Sequence, residues 1–361
     1  MSNISCGIVG LPNVGKSSLY NALTKNESLV ANYPFATIEP NVGIINVPDE
    51  RLIKLQKLYQ AEKITYANIK FVDIAGLVKG ASNGEGLGNK FLGHIKQVDM
   101  ILQVVRIFED QDTIHVNNEI NPQNDMAIVN TELVLTDLEQ VNNQLNKIIK
   151  LAKNDKIAQN NLNLLLKIKS VLEKNQPLWL EKFSSDELML LKPFNFLTLK
   201  PTIYVFNLSE TDLKNLKKQE QLTNLVKPSK CLFLSASLEN DLKNFNDNEV
   251  KQLLEDYKIK ESGLEILIKQ VYETLNLQSF LTAGSKEVRA WTINKNTLAP
   301  DAAAVIHNDF KKGFIVAEII DYNDLIKFGS VIGVKQAGKI RIEGKDYIMQ
   351  PNDIVNFRFN L

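Results

Sequence analysis

The chain has 361 residues, enough for two or three domains, with 44% apolar and 23% charged residues as in ordinary globular proteins. Lys+Arg and Asp+Glu each number 42, so net charge is zero and excludes a global pull toward nucleic acid; any such contact must come from a local patch. The N-terminus carries no signal-like basic and apolar run, and no apolar stretch is long enough to cross a bilayer. Cys6 and Cys231, far apart and beside apolar runs, read as reduced, buried strand-end residues of a cytoplasmic protein.

The first predicted strand holds Cys6, Ile8 and Val9. It runs into GLPNVGKSS, Gly10 to Ser18, which fits G-x-x-x-x-G-K-[ST], and Leu19, Tyr20, Ala22 and Leu23 then follow at helical spacing. Strand, glycine loop and helix are the context that gives this motif meaning. The glycines let backbone N–H groups wrap a polyphosphate, and the helix N-terminus adds partial positive charge. Lys16 reaches toward the outer phosphates, and the Ser17 hydroxyl is a ligand for Mg2+.

The loop NYPFATIEPN follows, with Pro34 and Pro40 barring a regular helix. Its Thr37 stands where P-loop nucleotidases close a hydroxyl on Mg2+ and the terminal phosphate. A strand is expected over Val42–Val47 and another over Ile69–Val72, the latter ending in Asp73-Ile74-Ala75-Gly76. Asp73 can hold Mg2+ through a water, and Gly76 lets a backbone N–H approach the terminal phosphate. Leu77 occupies the place of the water-orienting glutamine of Ras-type GTPases and has no polar group to replace it. The run Gly80–Gly88 follows this loop and not a fresh strand, so it is a switch extension and not a dinucleotide fingerprint.

A helix over Asn89–Gln97 carries His94, read as a helix-face residue, and Met100–Val105 is the next apolar strand. His115 lies beyond it in a polar loop. It is either an inert surface group or one that swings toward the phosphates and orients the water. In the 122–191 region Val134, Leu138, Val141, Leu145, Ile148 and Ala152 alternate spacings of four and three, with Leu162, Leu165, Ile168 and Leu172 forming a second stripe. This predicts an antiparallel helical hairpin reversing near Asn154-Asp155. Lys147, Lys150, Lys153 and Lys156 near its tip are either a solvated face or a phosphate-backbone contact.

Strands resume at Thr202–Phe206, ending in Asn207-Leu208-Ser209-Glu210, and at Cys231–Leu234, ending in Ser235-Ala236-Ser237. GTPases read N-K-x-D at the first of these ends, and its aspartate accepts hydrogen bonds from guanine N1 and the exocyclic amine. Here leucine replaces the lysine and glutamate the aspartate, which weakens guanine readout; the Asn207 amide suits either purine. From Leu277 the texture becomes β-rich, over 288–293, 313–318, 339–342, 347–349 and 354–359, with one helix over Pro300–Phe310. Lys335, Lys339, Arg341 and Lys345 cluster there against Glu343, as a solvated edge or an RNA-facing patch.

Together GLPNVGKSS, NYPFATIEPN, FVDIAGLVKGASNGEGLGNKFL, NLSE and KDYIMQPNDIVNF resemble the YchF/Obg-like ATPase family along essentially the whole chain. The resemblance implies an α/β P-loop nucleotidase fold, a mostly parallel sheet with helices on both faces. It implies domains over 1–121 and 192–276 for the nucleotide, 122–191 for an inserted helical coiled-coil hairpin, and 277–361 for an α+β β-grasp (TGS) domain. It implies ATP hydrolysis in preference to GTP, with ATP bound by Asn13, Val14, Gly15, Lys16, Ser17, Ser18, Asn207, Leu208 and Ser235. Ser17 and Thr37 match the family's Mg2+ positions, Leu77 its apolar replacement of glutamine, and His115 the histidine proposed to take over catalysis beside Lys16. Ser18 departs from the threonine more usual there. The implied partner is the ribosome, through its large subunit and rRNA, with no DNA and no membrane, and the chain is expected to be a monomer. A ribosome-binding adaptor with a structural nucleotide site and an Obg-type GTPase remain the alternatives.

Overall fold

The structure is a computed structural model and describes residues 4–24, 41–74, 87–109, 120–151, 155–242, 244–257, 259 and 261–360. Its first half runs β1 (Ser5–Val9), α1 (Lys16–Thr24), β2 (Val42–Asn46), α2 (Glu50–Tyr59), β3 (Lys63–Thr65), β4 (Asn68–Asp73), α3 (Leu87–Gln97), β5 (Met100–Arg106), α4 (Pro122–Leu151) and α5 (Lys156–Leu172). Strands β6 (Thr202–Asn207) and β7 (Lys230–Leu234) follow, and then β8 (Leu277–Ala283), β9 (Glu287–Asn294), β10 (Phe314–Asp321), β11 (Arg341–Glu343) and β12 (Asp353–Phe359).

The uninterrupted apolar strands build the first sheet, in the order β2-β4-β1-β5-β6-β7. Only β2 is antiparallel to its neighbour. Every residue of β1, β5 and β6 is buried, as expected where helices cover both faces of a parallel sheet. Strand β1 lies between β4 on one side and β5 on the other, so the order reverses beside the loop leaving β1. In open α/β sheets that is where a crevice opens at the carboxyl ends of the strands.

Helices α4 and α5 pack on each other through Val134, Val141, Leu145, Leu165, Ile168 and Leu172, with Leu138, Ile148 and Leu162 partly buried. The heptad seam is thereby satisfied inside one hairpin; Ala152 and Asn154 lie outside the described residues. Its base is fixed by the buried Asp137. That carboxylate accepts the backbone N–H groups of Leu197 and Thr198, each at 2.8 Å, and the Thr198 hydroxyl at 2.7 Å. Lys147 and Lys156 are exposed, and the side chains of Lys150 and Lys153 lie outside the described set.

The second sheet has the order β11-β10-β12-β8-β9-β3. Its last strand comes from the first half of the chain: β3 pairs parallel with β9, Ile64 opposite Val288. Helix α2 follows β3 to this sheet, because Leu52 and Leu55 share a buried cluster with Leu281, Val288 and Leu325. The Arg51 guanidinium donates to the Pro351 carbonyl and to Asn352 Oδ1. Nothing in the local pattern of Lys63-Ile64-Thr65 announces this, since a three-residue strand carries no periodicity. Other differences are local. Where the sequence predicts one helix over Pro300–Phe310, the described residues form helices over Ala299–Ile306, Asn308–Lys312, Tyr322–Phe328 and Val331–Gln336. A strand forms at 277–283, and residues 347–349 contribute only an isolated bridge between Ile348 and Leu298. Arg341 is not one cation of an open cluster facing a single acid: it reaches Asp353 Oδ1 at 2.9 Å, and Asp353 is 1% exposed. Among the described residues, no helix is long and apolar enough to cross a membrane.

Candidate nucleotide site

A cavity of about 820 Å³ opens at the carboxyl ends of β1, β5, β6 and β7. The phosphate loop lines it with Asn13, Gly15, Lys16, Ser17 and Ser18, and the segments after β5, β6 and β7 line it with Phe108, Leu208, Glu210, Ser235 and Asn240. The local backbone explains the glycines. Gly10 has φ 155°, and a Cβ there would stand 2.5 Å from the Val104 carbonyl oxygen. Gly15 has φ 95°, and a Cβ would stand 2.2 Å from Asn207 Nδ2. Both positions require the residue without a side chain. Asn13, at φ 63°, takes the left-handed region that asparagine tolerates best after glycine.

Lys16 folds back onto its own loop. Its ammonium donates to the Leu11 carbonyl at 2.7 Å and the residue is 8% exposed. Burial pushes its pKa down to about 8, against the opposing pull of the Asp73 carboxylate. Asp73, at the end of β4, is pushed up by burial; the Lys16 charge and a hydrogen bond from Ser17, Oγ to Oδ2 at 3.4 Å, work the other way. Asp73 Oδ1 is buried with no hydrogen-bond partner. A hydroxyl facing a carboxylate with an orphaned oxygen is an oxygen donor set that fits Mg2+. Among the described residues there is no cluster of three or more His, Cys, Asp or Glu ligands. A cation here would therefore complete its shell with phosphate oxygens and water, the usual manner for Mg2+.

The segments around the cavity are held together by Asn207. Its Nδ2 donates to the Val14 carbonyl at 3.1 Å, and its Oδ1 accepts the Ala236 N–H at 3.0 Å. One side chain thus ties the phosphate loop to the loop after β7. Val14 itself is 1% exposed and does not line the cavity; it is tied to the lining through Asn207. The Leu208 N–H donates to the Leu234 carbonyl at 2.8 Å. The Ser235 hydroxyl accepts from the Leu238 N–H at 3.4 Å, and Asn240 Nδ2 donates to the Ser18 carbonyl at 2.9 Å.

The structure brings Asn13, Gly15, Lys16, Ser17, Ser18, Asn207, Leu208 and Ser235 around one cavity, with Asp73 beside Ser17. Thr37, Gly76, Leu77 and His115 lie outside the described residues, and His94 is an exposed helix-face residue. Sequence reasoning missed Arg106, Phe108, Asn240 and Tyr257. Arg106 is 1% exposed, lies 4.5 Å from the Phe108 ring centre and donates to the carbonyls of Phe108 and Asn13. A lone arginine closing an apolar strand was its available signal. Tyr257 donates to Glu210 at 2.5 Å and had none.

Two family models match the chain. One, described as a 50S ribosome-binding GTPase, covers residues 5–158, and the other, the C-terminal domain of YchF GTPases, described as a protein of unknown function (DUF933), covers 277–360. The protein described as "Ribosome-binding ATPase YchF" from Pasteurella multocida is 47% identical over 99% of both chains. That of Bacillus subtilis is 44% identical over 99% of this chain and 100% of its own. The solved YchF GTPase of Schizosaccharomyces pombe superposes with a TM-score of 0.89 at 38% identity, covering 99% of this chain and 98% of that one. A GTP-binding protein of Pyrococcus horikoshii, at 20% identity and a TM-score of 0.59, shares the fold alone. With glycine loop, buried lysine and strand order arranged as a P-loop nucleotidase requires, and with relatives matching from end to end, the chain belongs to the YchF family.

Proposed function

We propose that this protein is a Mg2+-dependent ATP hydrolase that works as a nucleotide-dependent switch on the ribosome. The curated relatives named ribosome-binding ATPases support the activity and the partner. The observation that carries the reading is the cavity at the phosphate loop: the buried Lys16 lines it, Asp73 with its orphaned oxygen stands beside the lining Ser17, and Leu208 lines it where a GTPase has lysine. Lys16 would exchange the Leu11 carbonyl for a phosphate oxygen. An arriving polyphosphate favours its charged form, so the depressed pKa rises on binding. The N–H groups around Asn13–Ser18 would hold the remaining oxygens at the start of α1. Ser17, Thr37 and, through water, Asp73 would hold Mg2+. When bound, the cation neutralises charge on the outer phosphates as the terminal phosphoryl group departs.

His115 takes the water-orienting role, because Leu77 offers no hydrogen-bonding group. Thr37 and the segment Asp73–Gly88 form the switch, ordered by the terminal phosphate and released when it leaves. Leu208 contacts the purine through its backbone, and Phe108, backed by Arg106, offers a flat apolar wall. The nucleotide domain spans 1–121 and 192–276, the helical arm 122–191 and the TGS domain 277–361. The arm and the TGS domain are the surfaces offered to the large subunit and its rRNA, and the protein acts as a cytoplasmic monomer. Competition of ATP and GTP for a fluorescent ATP analogue tests this reading. ATP should displace the probe at a concentration at least about tenfold lower, and equal or better displacement by GTP would make the protein an Obg-type GTPase.

A further inference from the structure

Glu210 stands where a GTPase places the aspartate that reads guanine. Guanine recognition uses both carboxylate oxygens side by side, one for N1–H and one for the exocyclic amine. Glu210 lines the cavity, yet its Oε2 accepts the Tyr257 hydroxyl at 2.5 Å. Hydrogen bonds from a phenol to an ionised carboxylate are short and among the stronger ones in proteins. Each carboxylate oxygen can accept a second hydrogen bond, so the constraint is one of direction: held at Oε2 by Tyr257, the carboxylate is not free to turn both oxygens side by side onto a base.

Tyr257 does not depend on Glu210 for its place. It caps the helix Asp247–Asp256, its N–H bonding to Leu253 and Glu255 carbonyls. Its ring packs on the cluster of Leu238, Leu242 and Leu254. The Lys214 ammonium sits 4.8 Å from the ring centre. The tyrosine is a fixed post and the longer, flexible glutamate is the group it holds.

For adenine the consequence has the opposite sign. Adenine carries an unprotonated N1, so a carboxylate swung against that edge would set lone pair against lone pair. Holding Glu210 back removes a repulsion for adenine and an attraction for guanine together. We infer that Tyr257 is a specificity-determining positioning residue: by tethering Glu210 it sets the preference of this cavity for adenine over guanine nucleotides. The inference rests on the cavity being a purine-nucleotide site.

The test measures the dissociation constants of ATP and GTP on the full chain, by competition against a fluorescent ATP analogue. The proteins are wild type, Tyr257→Phe, Glu210→Asp and the double variant Tyr257→Phe with Glu210→Gln. Tyr257→Phe keeps the ring and its packing, and should narrow the ATP-over-GTP ratio about tenfold, equivalent to about 1.4 kcal/mol. Glu210→Asp, one methylene shorter and beyond the reach of Tyr257, should narrow it in the same direction. The double variant should lose the gain, because an amide offers one acceptor where guanine needs two. Asp241 also lines the cavity, and a gain that survived in the double variant would assign the effect to it and overturn the inference. So would a ratio unchanged in both single variants, or affinities for ATP and GTP that fall by the same factor, which is what loosened structure alone would do. Wild-type protein that binds neither nucleotide would instead sink the purine-site reading on which this stands.

Discussion

The two six-stranded sheets of this protein solve different problems. The first is parallel but for one edge strand, is buried on both faces at β1, β5 and β6, and leaves its carboxyl ends open onto a cavity with buried polar groups. The second is mostly antiparallel, and its edge is closed by β3, a strand delivered from the other end of the sequence. In the first sheet the loops do the work and the strands only aim them. In the second the sheet is itself the joint, since α2 and β3 bind the chain leaving β2 into the C-terminal core. The polypeptide that carries Thr37 runs through β2 directly into that joint. The comparison teaches that binding residues and anchoring residues are drawn from separate sheets while the covalent chain ties them together.

The largest effect should come at the open sheet. Lys16→Ala should lower ATP turnover roughly 100-fold or more, the scale of losing a donor to developing charge, while far-ultraviolet circular dichroism stays native. Phosphate release at saturating ATP measures it; turnover near wild type would remove the first sheet's claim to the chemistry. The next effect falls on the other sheet. Leu55 is fully buried against the C-terminal core although it belongs to the first half of the chain. Leu55→Ala should cost about 2–5 kcal/mol, read by urea unfolding with Trp291 fluorescence in a Trp179→Phe background. A Trp291 transition that does not move would mean α2 is not part of that core.

The smallest effect sharpens the boundary beside the cavity. Glu239 accepts the Gly263 N–H at 2.6 Å, its Oε2 has no partner, and burial pushes its pKa from 4.5 to about 7. A folded-state value above the unfolded one means the native state binds the proton more tightly, so this group adds stability as pH falls from above 7 toward 4.5. Asp137, raised to about 6, acts in the same direction, whereas the lowered values of Glu187 and Asp212 act against it. The readout is therefore a difference: between pH 8 and pH 5.5 the melting temperature of Glu239→Gln should gain less than that of wild type. Equal gains would show that Glu239 is not buried as its geometry implies.

Much of the first sheet was legible because its signals are short-range. The strand preceding Gly10, the glycines and Lys16 sit within a dozen residues, and the helical hairpin declares itself through spacings of three and four. Asn207 was legible as a position, while its clamp between the Val14 carbonyl and the Ala236 N–H was not, because its partners come from the loop after β1 and the loop after β7. Arg341 read as part of a basic cluster until folding brought Asp353 to it.

The amino-acid sequence alone therefore determined the phosphate loop, the runs that become buried strands, the hairpin seam and the loss of a guanine-reading aspartate, because each is written in neighbouring residues and their periodicity. Tertiary structure alone decided that β3 closes the far sheet, that Asp73 keeps an orphaned oxygen beside Ser17, that Arg106 reaches the Asn13 carbonyl, and that Tyr257 holds Glu210. These depend on pairs brought together across long stretches of chain, and no local pattern of side chains specifies which distant group will arrive.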